Sequence, residues 1–434
     1  MKVLFANPPW WVWDMKPQRC GIRAGSRWPH TIPIPFPPGE FIPARKYLPY
    51  PFFLGAATTY AQKHTKAEVV FRDSIARHET YEQFFAYLVA TKPDLIFLEC
   101  ATPSWDHDRE LILKMGEILP SARFCVAGTL PSVKGDEILA TKGVIAAIKG
   151  EYEKNSVKVI EGATGLLEHD LMTQEEMNAA PFPYYEKETA RNYWDCNPAG
   201  TLYPHAQVFS SRGCPFRCNF CVWPATMTGN DPTGTGKRSI RFYSAEYMET
   251  FLTHLVKEYG FRSIYFDDDT FNLNEKHTLA MCGVMRKIGL PWTAMCRADT
   301  VSRDAWKEMK ASGCVGVKIG FESGSQRVID EIINKKLNLA EAEETGAFLT
   351  SIGINWHGTF IKDAPGSTVE ENGMTDALIQ RCFKAGMKTY QLSSMAVHDG
   401  TPLDSFVKSG GQAMKAYPGA RLDENFKLKS DGAK

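Results

Sequence analysis

The chain has 434 residues, 44% of them hydrophobic and 23% charged, with no net formal charge. This is the profile of an ordinary globular protein of about two to three domains, and the balanced charge offers no basic field to draw nucleic acid. No apolar run approaches the about 20 residues of a membrane helix, and the opening MKVLFANPPWW is broken by Asn7 and two prolines too early for a signal peptide, so a cytoplasmic protein with no membrane span is expected.

In chain order, VLFAN (3–7) is a short apolar run that reads as a strand. A helical stretch follows at 52–63. Strand-like runs at 67–73, 94–100, 122–128 and 144–150 then alternate with helical stretches near 79–91, 107–118 and 134–142. Five such runs separated by helices imply a parallel sheet with helices on both faces, and their near-continuous apolar character is that of strands buried on both sides. Between the first strand and the first helix lies a proline-rich insert, residues 8–51, carrying Trp10, Trp11, Trp13 and Trp28. Loops of this length are functional or disordered; its tryptophans and arginines favour an ordered segment that covers a site, with a surface wrap between domains as the other reading.

Residues 151–200 read as a helix and a connector containing APFPYYEKE. From 205 the alternation restarts: HAQVFSS, a helix near 245–258, SIYFDDD, a helix near 275–288, WTAMCRAD, a helix near 304–312, VGVKIGFES, a helix near 325–334, then INWHGTFIK and TYQLSSMAV. Six strands are too few for a closed eight-stranded barrel and leave a partial barrel or an open sheet. Residues 403–434 read as a tail or a short helix.

The 11 cysteines are scattered except at RGCPFRCNFC (212–221), which places Cys214, Cys218 and Cys221 at C-x3-C-x2-C. In a reducing compartment such a cluster is metal-binding or catalytic rather than disulfide-bonded. Thiolates suit zinc or iron–sulfur clusters. A closed zinc site would need a fourth ligand from elsewhere, whereas a four-iron cubane held by three thiolates keeps one iron open to a substrate or cofactor. The motif follows the strand HAQVFSS and so sits at the C-terminal edge of the second sheet, where α/β enzymes place their active sites.

GCPFRCNFC resembles the signature of the radical S-adenosylmethionine (SAM) enzymes. The resemblance implies a [4Fe–4S] cluster on Cys214, Cys218 and Cys221, with SAM chelating the fourth iron and Phe220 beside the cofactor. It also assigns SAM contacts at successive strand ends: Asp267, Asp268 and Asp269 toward the amino group, Arg297 toward the carboxylate, and Glu322 with Ser323 at the ribose. Alternation along the fourth strand puts Lys318, Gly320 and Glu322 on one face, so Lys318 is expected to pair with Glu322. The fifth and sixth strand ends depart from the family pattern: Asp363 stands in place of a glycine, Ser367 in place of a glutamate, and His398 and Asp399 lie near the mouth. His357 is read as a packed strand residue. The implied chemistry is reductive cleavage of SAM and abstraction of hydrogen from an unactivated carbon, with an electron donor such as flavodoxin or ferredoxin as partner.

A Rossmann-like domain ahead of such a barrel is similar to the cobalamin-binding class of these enzymes. That resemblance implies ligand loops at Thr102, Pro103 and Ser104, at Gly128, and at Gly150 and Glu151. The D-x-H-x-x-G signature of His-ligated cobalamin is missing: DSIARH (73–78) has Ile75 at the histidine position and His78 at the glycine position, which fits either cobalamin bound without an axial histidine or a degenerate domain that holds none. The expected fold is therefore α/β, an N-terminal Rossmann-like (cobalamin-binding-type) domain over 1–160, a linker over 161–200, a partial (β/α)6 radical SAM barrel over 201–402 and a tail over 403–434. The leading functional reading is cobalamin-dependent C-methylation of a small-molecule precursor. Its alternatives are a radical dehydration, epimerisation, ring contraction or cyclisation, and a non-catalytic iron–sulfur protein.

Overall fold

The computed structural model describes residues 1–9, 48–194, 202–231, 236 and 238–410. Trp10, Trp11, Trp13, Trp28 and most of the insert that holds them, and residues 411–434, lie outside the described residues.

The first half builds a six-stranded parallel sheet from β1 (Lys2–Asn7), β2 (Glu68–Asp73), β3 (Leu95–Glu99), β4 (Arg123–Ala127), β5 (Val144–Ile148) and β6 (Gly165–Leu167), in the order β2-β1-β3-β4-β5-β6. The strands are apolar on both sides because both sides are covered. Phe5, Phe97, Cys125 and Ile148 pack into one core with Phe53 and Ala57 of helix Phe52–His64 and Val159 of helix Glu153–Ile160. Leu4, Ile96, Leu98, Phe124 and Val126 pack into another with Phe84, Leu88, Leu111 and Met115. The strand order reverses between β1 and β3, so the ligand crevice of a doubly wound sheet falls beyond their C-terminal ends, at Asn7 and Glu99.

The second half builds β7 (His205–Val208), β10 (Ser263–Phe266), β11 (Trp292–Cys296), β12 (Cys314–Glu322), β13 (Asn355–Lys362) and β14 (Thr389–Ser394). They are paired in simple sequential order and all parallel. Each new strand is added on the same side, which keeps the crossover helices on one face. Among the described residues β7 and β14 do not pair, so the sheet is open. A two-residue ribbon, β8 (Ser211–Arg212) against β9 (Arg241–Phe242), closes the segment that carries the cysteines.

The two halves share one core. Tyr50 stacks on Tyr185 at 4.0 Å between ring centroids, and Phe53 meets Trp223 at 5.5 Å. No described helix is long and apolar enough to cross a membrane.

Several elements differ from the sequence expectation. Strand β6 lies inside the stretch read as helix and connector; three edge residues are too short to show alternation. The ribbon β8–β9 is likewise below the length that patterning detects. The expected helix near 325–334 is a π-helical turn, Val328–Ile332, and the crossover helix is Leu339–Ser351. Val328, Ile329, Ile332 and Ile333 do show helical spacing. However, the carbonyls of Ile332 and Ile333 accept hydrogen bonds from Asn219 Nδ2 (2.9 Å) and Asn219 N (2.7 Å), and Asn334 and Lys336 take positive φ. Those carbonyls serve the cysteine loop rather than a continuing helix. Helix Val369–Lys384, passed over in the sequence, begins in a capping box between Thr368 and Glu371.

Candidate functional site

The cysteine loop starts from a glycine in the left-handed region. Gly213 has φ +94, and a Cβ there would lie 2.1 Å from the Ser239 carbonyl oxygen, so only glycine lets β8 and the strand leading into β9 close at this point. Between and beyond the cysteines the loop is fastened to its neighbours. Arg217 and Arg238 both bind the Asp231 carboxylate, at 3.0 and 2.9 Å. Asn219 bonds the π turn as above, Asn334 Nδ2 donates to the Arg217 carbonyl (3.1 Å), and the Leu403 amide donates to the Asn219 carbonyl (3.1 Å). The loop is thus held from β12's following turn and from helix Pro402–Lys408.

Cys214 is buried, with its Sγ 3.7 Å from Thr270 Oγ1; Cys218 and Cys221 are half-buried, and the Cys221 amide donates to the Cys218 carbonyl at 3.1 Å. Burial pushes the Cys214 thiol up to about 12, with the negative Asp269 adding to the effect. Cys221 is raised by desolvation and then by Cys218, Asp269 and Cys214; Cys218 is raised by desolvation, against the pull of Lys335 and Arg297. The three thiols lie within electrostatic reach of one another and of the side chains at the ends of β10, β11 and β12. Bare, they hold their protons at neutral pH, so a metal must displace those protons to bind. Among the described residues no three His, Cys, Asp or Glu side chains close around one ion-sized point. A cubane does not ask for that, because each thiolate takes a different iron.

The three acids after β10 have separate surroundings. Asp267 accepts from Tyr265 Oη (2.9 Å) and from Gln207 Nε2, whose Oε1 in turn accepts from the Tyr50 amide (2.8 Å). Asp268 is fully buried and accepts from the Ser210 amide (3.0 Å), Ser210 Oγ (3.0 Å) and Ser211 Oγ, which pins the start of the cysteine segment to β10. Burial raises Asp268 to about 6 despite these bonds. Asp269 accepts from Thr228 Oγ1 (3.2 Å) and is the acid whose charge reaches Cys214 and Cys221.

Arg297, at the end of β11, makes a bidentate pair with Asp299 (2.9 and 2.7 Å), reaches the Lys335 carbonyl (3.2 Å) and lies 3.7 Å over the Phe216 ring. Glu322 sits at positive φ (+65), just past a bulge between Gly320 and Glu322, and its Oε1 accepts from Lys335 Nζ at 2.6 Å. A Cβ on Gly320 would meet the Glu322 carboxylate and Lys335 Nζ, so Gly320 and Glu322 share a face, and Lys335 is a cation on Glu322. Lys335 stands in a polar stretch with no periodicity, so only folding reveals it. The Ser323 hydroxyl accepts from the Ser325 amide (3.1 Å), and Phe220 packs on the shared core.

Farther round the edge, Asp363 adopts φ +57, a conformation suited to the glycine it replaces, and its carboxylate accepts from Asn372 Nδ2 (3.0 Å) and Ser394 Oγ (2.8 Å). Ser367 is buried. Asp399 pairs with Lys134 and Lys408, and burial lowers His398. His357 is fully buried, with Nδ1 2.8 Å from Thr389 Oγ1.

The edge of the first sheet faces this loop. Gly128 (φ +102) and Gly150 (φ +73) form an antiparallel bridge, and Ser104 bonds within its own turn, Thr102–Ser104 (with Pro103 at its centre). Glu151 is completely buried against Arg212 and Arg241. Asp73 accepts from the Ile75 and Ala76 amides, Asn7 Nδ2 and Tyr193 Oη, each at 3.0 Å. Ile75 is in the core, and His78 takes a left-handed φ (+56). A cavity of about 170 Å³ opens between the halves, lined by Tyr50, Phe53, Trp223, Cys221, Asp269 and Met295 among others.

Residues 208–371 match the model of the radical SAM superfamily. The chain is 27% identical over 373 residues to an uncharacterized methyltransferase of Pyrococcus horikoshii, covering 81% of this chain and 77% of that protein. It is 28% identical over 211 residues to the cytidylyl-2-hydroxyethylphosphonate methyltransferase of Streptomyces wedmorensis, covering 45% of this chain and 37% of that protein. Among solved structures it resembles the cobalamin-dependent SAM radical enzyme OxsB with aqua-cobalamin bound (TM-score 0.65, 17% identity, 87% of this chain and 61% of that one). It also resembles the radical SAM methyltransferase TsrM of Kitasatospora setae with cobalamin and [4Fe–4S] cluster bound (TM-score 0.64, 14% identity, 86% and 79%). The chain therefore spans under two thirds of OxsB and of the phosphonate methyltransferase, while sharing the α/β fold with its parallel sheets across most of its own length. Over residues 208–371 the chain is similar to the radical SAM superfamily.

Proposed function

We propose that the protein is a cobalamin-dependent radical SAM methyltransferase acting on a small molecule, with a Rossmann-like domain over 1–160, a linker over 161–200, a partial (β/α)6 barrel over 201–402 and a tail over 403–434. The observation that carries this reading is the convergence of Cys214, Cys218 and Cys221 with Asp269, Arg297 and the Glu322–Lys335 pair at one sheet edge, which the edge of the first sheet faces. The methyltransferase relatives and the cobalamin-bound neighbours support it.

Cys214, Cys218 and Cys221 would hold a [4Fe–4S] cluster. Asp269 would meet the amino group of SAM, Arg297 its carboxylate and Glu322 its ribose hydroxyls, each an acceptor or donor of the fitting kind. Asp267 and Asp268 fit a supporting role, since their oxygens are engaged by Gln207, Tyr265, Ser210 and Ser211. The His169 ring stands against Gly150 with its Nε2 3.2 Å from the Thr226 carbonyl, while Ile75 occupies the histidine position of the D-x-H-x-x-G signature, which fits cobalamin bound without a histidine ligand from that position. When bound, these groups supply an electron, a cleavable carbon–sulfur bond that yields a hydrogen-abstracting radical, and a transferable methyl group. The chain's own part is to orient them, exclude water through the aromatic wall of Tyr50, Phe53 and Trp223, and accept electrons from a donor such as flavodoxin or ferredoxin. The TsrM structure with tryptophan bound supports a small-molecule substrate.

Anaerobic reconstitution with iron, sulfide and hydroxocobalamin, followed by SAM and dithionite, tests the reading. Four irons per chain, bound cobalamin and formation of 5′-deoxyadenosine or S-adenosylhomocysteine are expected. A chain that loads the cluster and cleaves SAM but binds no cobalamin favours the radical rearrangement reading, and one that cleaves no SAM refutes both.

A further inference from the structure

Four charged side chains are buried between the two halves. Arg212 and Arg241 are register partners across β8–β9, so their like charges lie side by side on one face of the ribbon. Their counter-charges come from the other domain. Glu151 binds Arg241 through both oxygens (2.7 and 2.9 Å) and Arg212 through one (3.2 Å), and Glu153 binds Arg212 at 2.7 Å. All four side chains are at most 7% exposed.

Both ends of the cysteine loop run to Glu151. Its carboxylate grips Arg212, two residues before Cys214, while its backbone amide donates to the Met227 carbonyl (3.1 Å) just beyond helix Trp223–Thr226. Arg241 extends the same grip to the carbonyl of Thr228 (3.0 Å), whose hydroxyl donates to Asp269. Glu151 itself follows Gly150, which bridges Gly128 at the edge of the first sheet. Buried ion clusters are poor stabilisers compared with apolar packing; what they supply is orientation.

We propose that Glu151, with Glu153, is a positioning residue: it sets where the cysteine loop stands relative to Asp269, Arg297 and Glu322, and so ties the geometry of the cluster to the docking of the first domain. This rests on the cluster-binding reading of the loop.

The test uses the full chain with Glu151→Gln, with Glu151→Asp (charge kept, reach shortened), and with Glu151→Gln/Arg241→Met, which removes the pair together. In the metal-free protein, alkylation of each cysteine by iodoacetamide is followed by peptide mass spectrometry. Loop release raises the rates at Cys218 and Cys221 about tenfold and leaves Cys125 and Cys314, inside the sheets, unchanged. A role in stability alone raises all four together and overturns the proposal. In reconstituted protein, the electron paramagnetic resonance spectrum of the reduced cluster with SAM shifts in all three variants. KM for SAM rises about tenfold, and the double variant recovers melting temperature without recovering the spectrum. Wild-type spectra and KM in Glu151→Asp and the double variant refute the proposal even where Glu151→Gln fails to fold. A wild-type chain that assembles no cluster would instead refute the functional reading, and the alkylation pattern would still decide whether Glu151 holds the loop.

Discussion

Replacing Gly213 by alanine tests the physical account of the cysteine loop at its first residue. The new methyl must occupy a point 2.1 Å from the Ser239 carbonyl oxygen, a backbone atom with no rotamer to yield, and the residue must keep φ +94. Holding a non-glycine residue in such a region costs roughly 1–3 kcal/mol, and forcing the backbone apart costs a further ~1–3 kcal/mol. A total of about 4 kcal/mol corresponds to a fall in melting temperature of roughly 8–16 °C for a unit of this size. Relief requires β9 to move away from β8, which carries Arg212 and then Cys214 with it. The expected result is a chain whose far-ultraviolet circular dichroism matches wild type, since neither large sheet is touched, but which melts earlier and takes up less than half the iron in anaerobic reconstitution. Equal melting temperature and equal iron content in Gly213→Ala would refute the argument that this glycine is required by its neighbours rather than by family habit.

Lys335→Met leaves the Glu322 carboxylate buried without its cation and costs about 3–5 kcal/mol in urea unfolding, whereas Lys335→Met/Glu322→Met regains most of it. Arg327 holds the Glu371 carboxyl at about 2, below its ordinary 4.5, so the pair contributes stability that is present above pH 4.5 and lost as pH falls toward 2. Arg327 is 43% exposed, and with that screening Arg327→Ala lowers the melting temperature at neutral pH by roughly 2–4 °C, about 1 kcal/mol. The gap between the two proteins closes on acidification through that window; a gap that stays constant down to pH 2 contradicts the assignment. Hydroxocobalamin at about 100 times its dissociation constant adds about 2.7 kcal/mol of stability if the first domain binds it, read as a rise of several degrees in an anaerobic melt. No rise at saturating concentration argues for a domain that has lost the cofactor.

The sequence is most legible where a pattern repeats along one element. The near-continuous apolar runs announce strands covered on both faces, and β1 to β5 and all six strands of the second sheet stand where those runs fall, because solvent exclusion acts on consecutive residues. Cys214, Cys218 and Cys221 are legible for a related reason: their spacing lies within one loop and states its chemistry without reference to the rest of the chain. The short pieces were not legible. Strand β6 and the ribbon β8–β9 are below the length at which alternation can be seen, and the apolar spacing at 328–333 reads as a helix although its last carbonyls turn to Asn219 instead.

The partners of charged side chains were decided only by tertiary structure. Nothing in the sequence near Glu322 marks Lys335 as its cation. Likewise Glu151, placed by resemblance at a cofactor loop, proves to be closed in by Arg212 and Arg241, which lie 61 and 90 positions away in number and within 3.2 Å in space. Local sequence sets which residues are buried, because hydrophobic burial is non-directional and nearly additive along the chain. Which charge neutralises which depends on distances of a few ångströms between segments far apart in sequence, and those distances exist only once both sheets have packed.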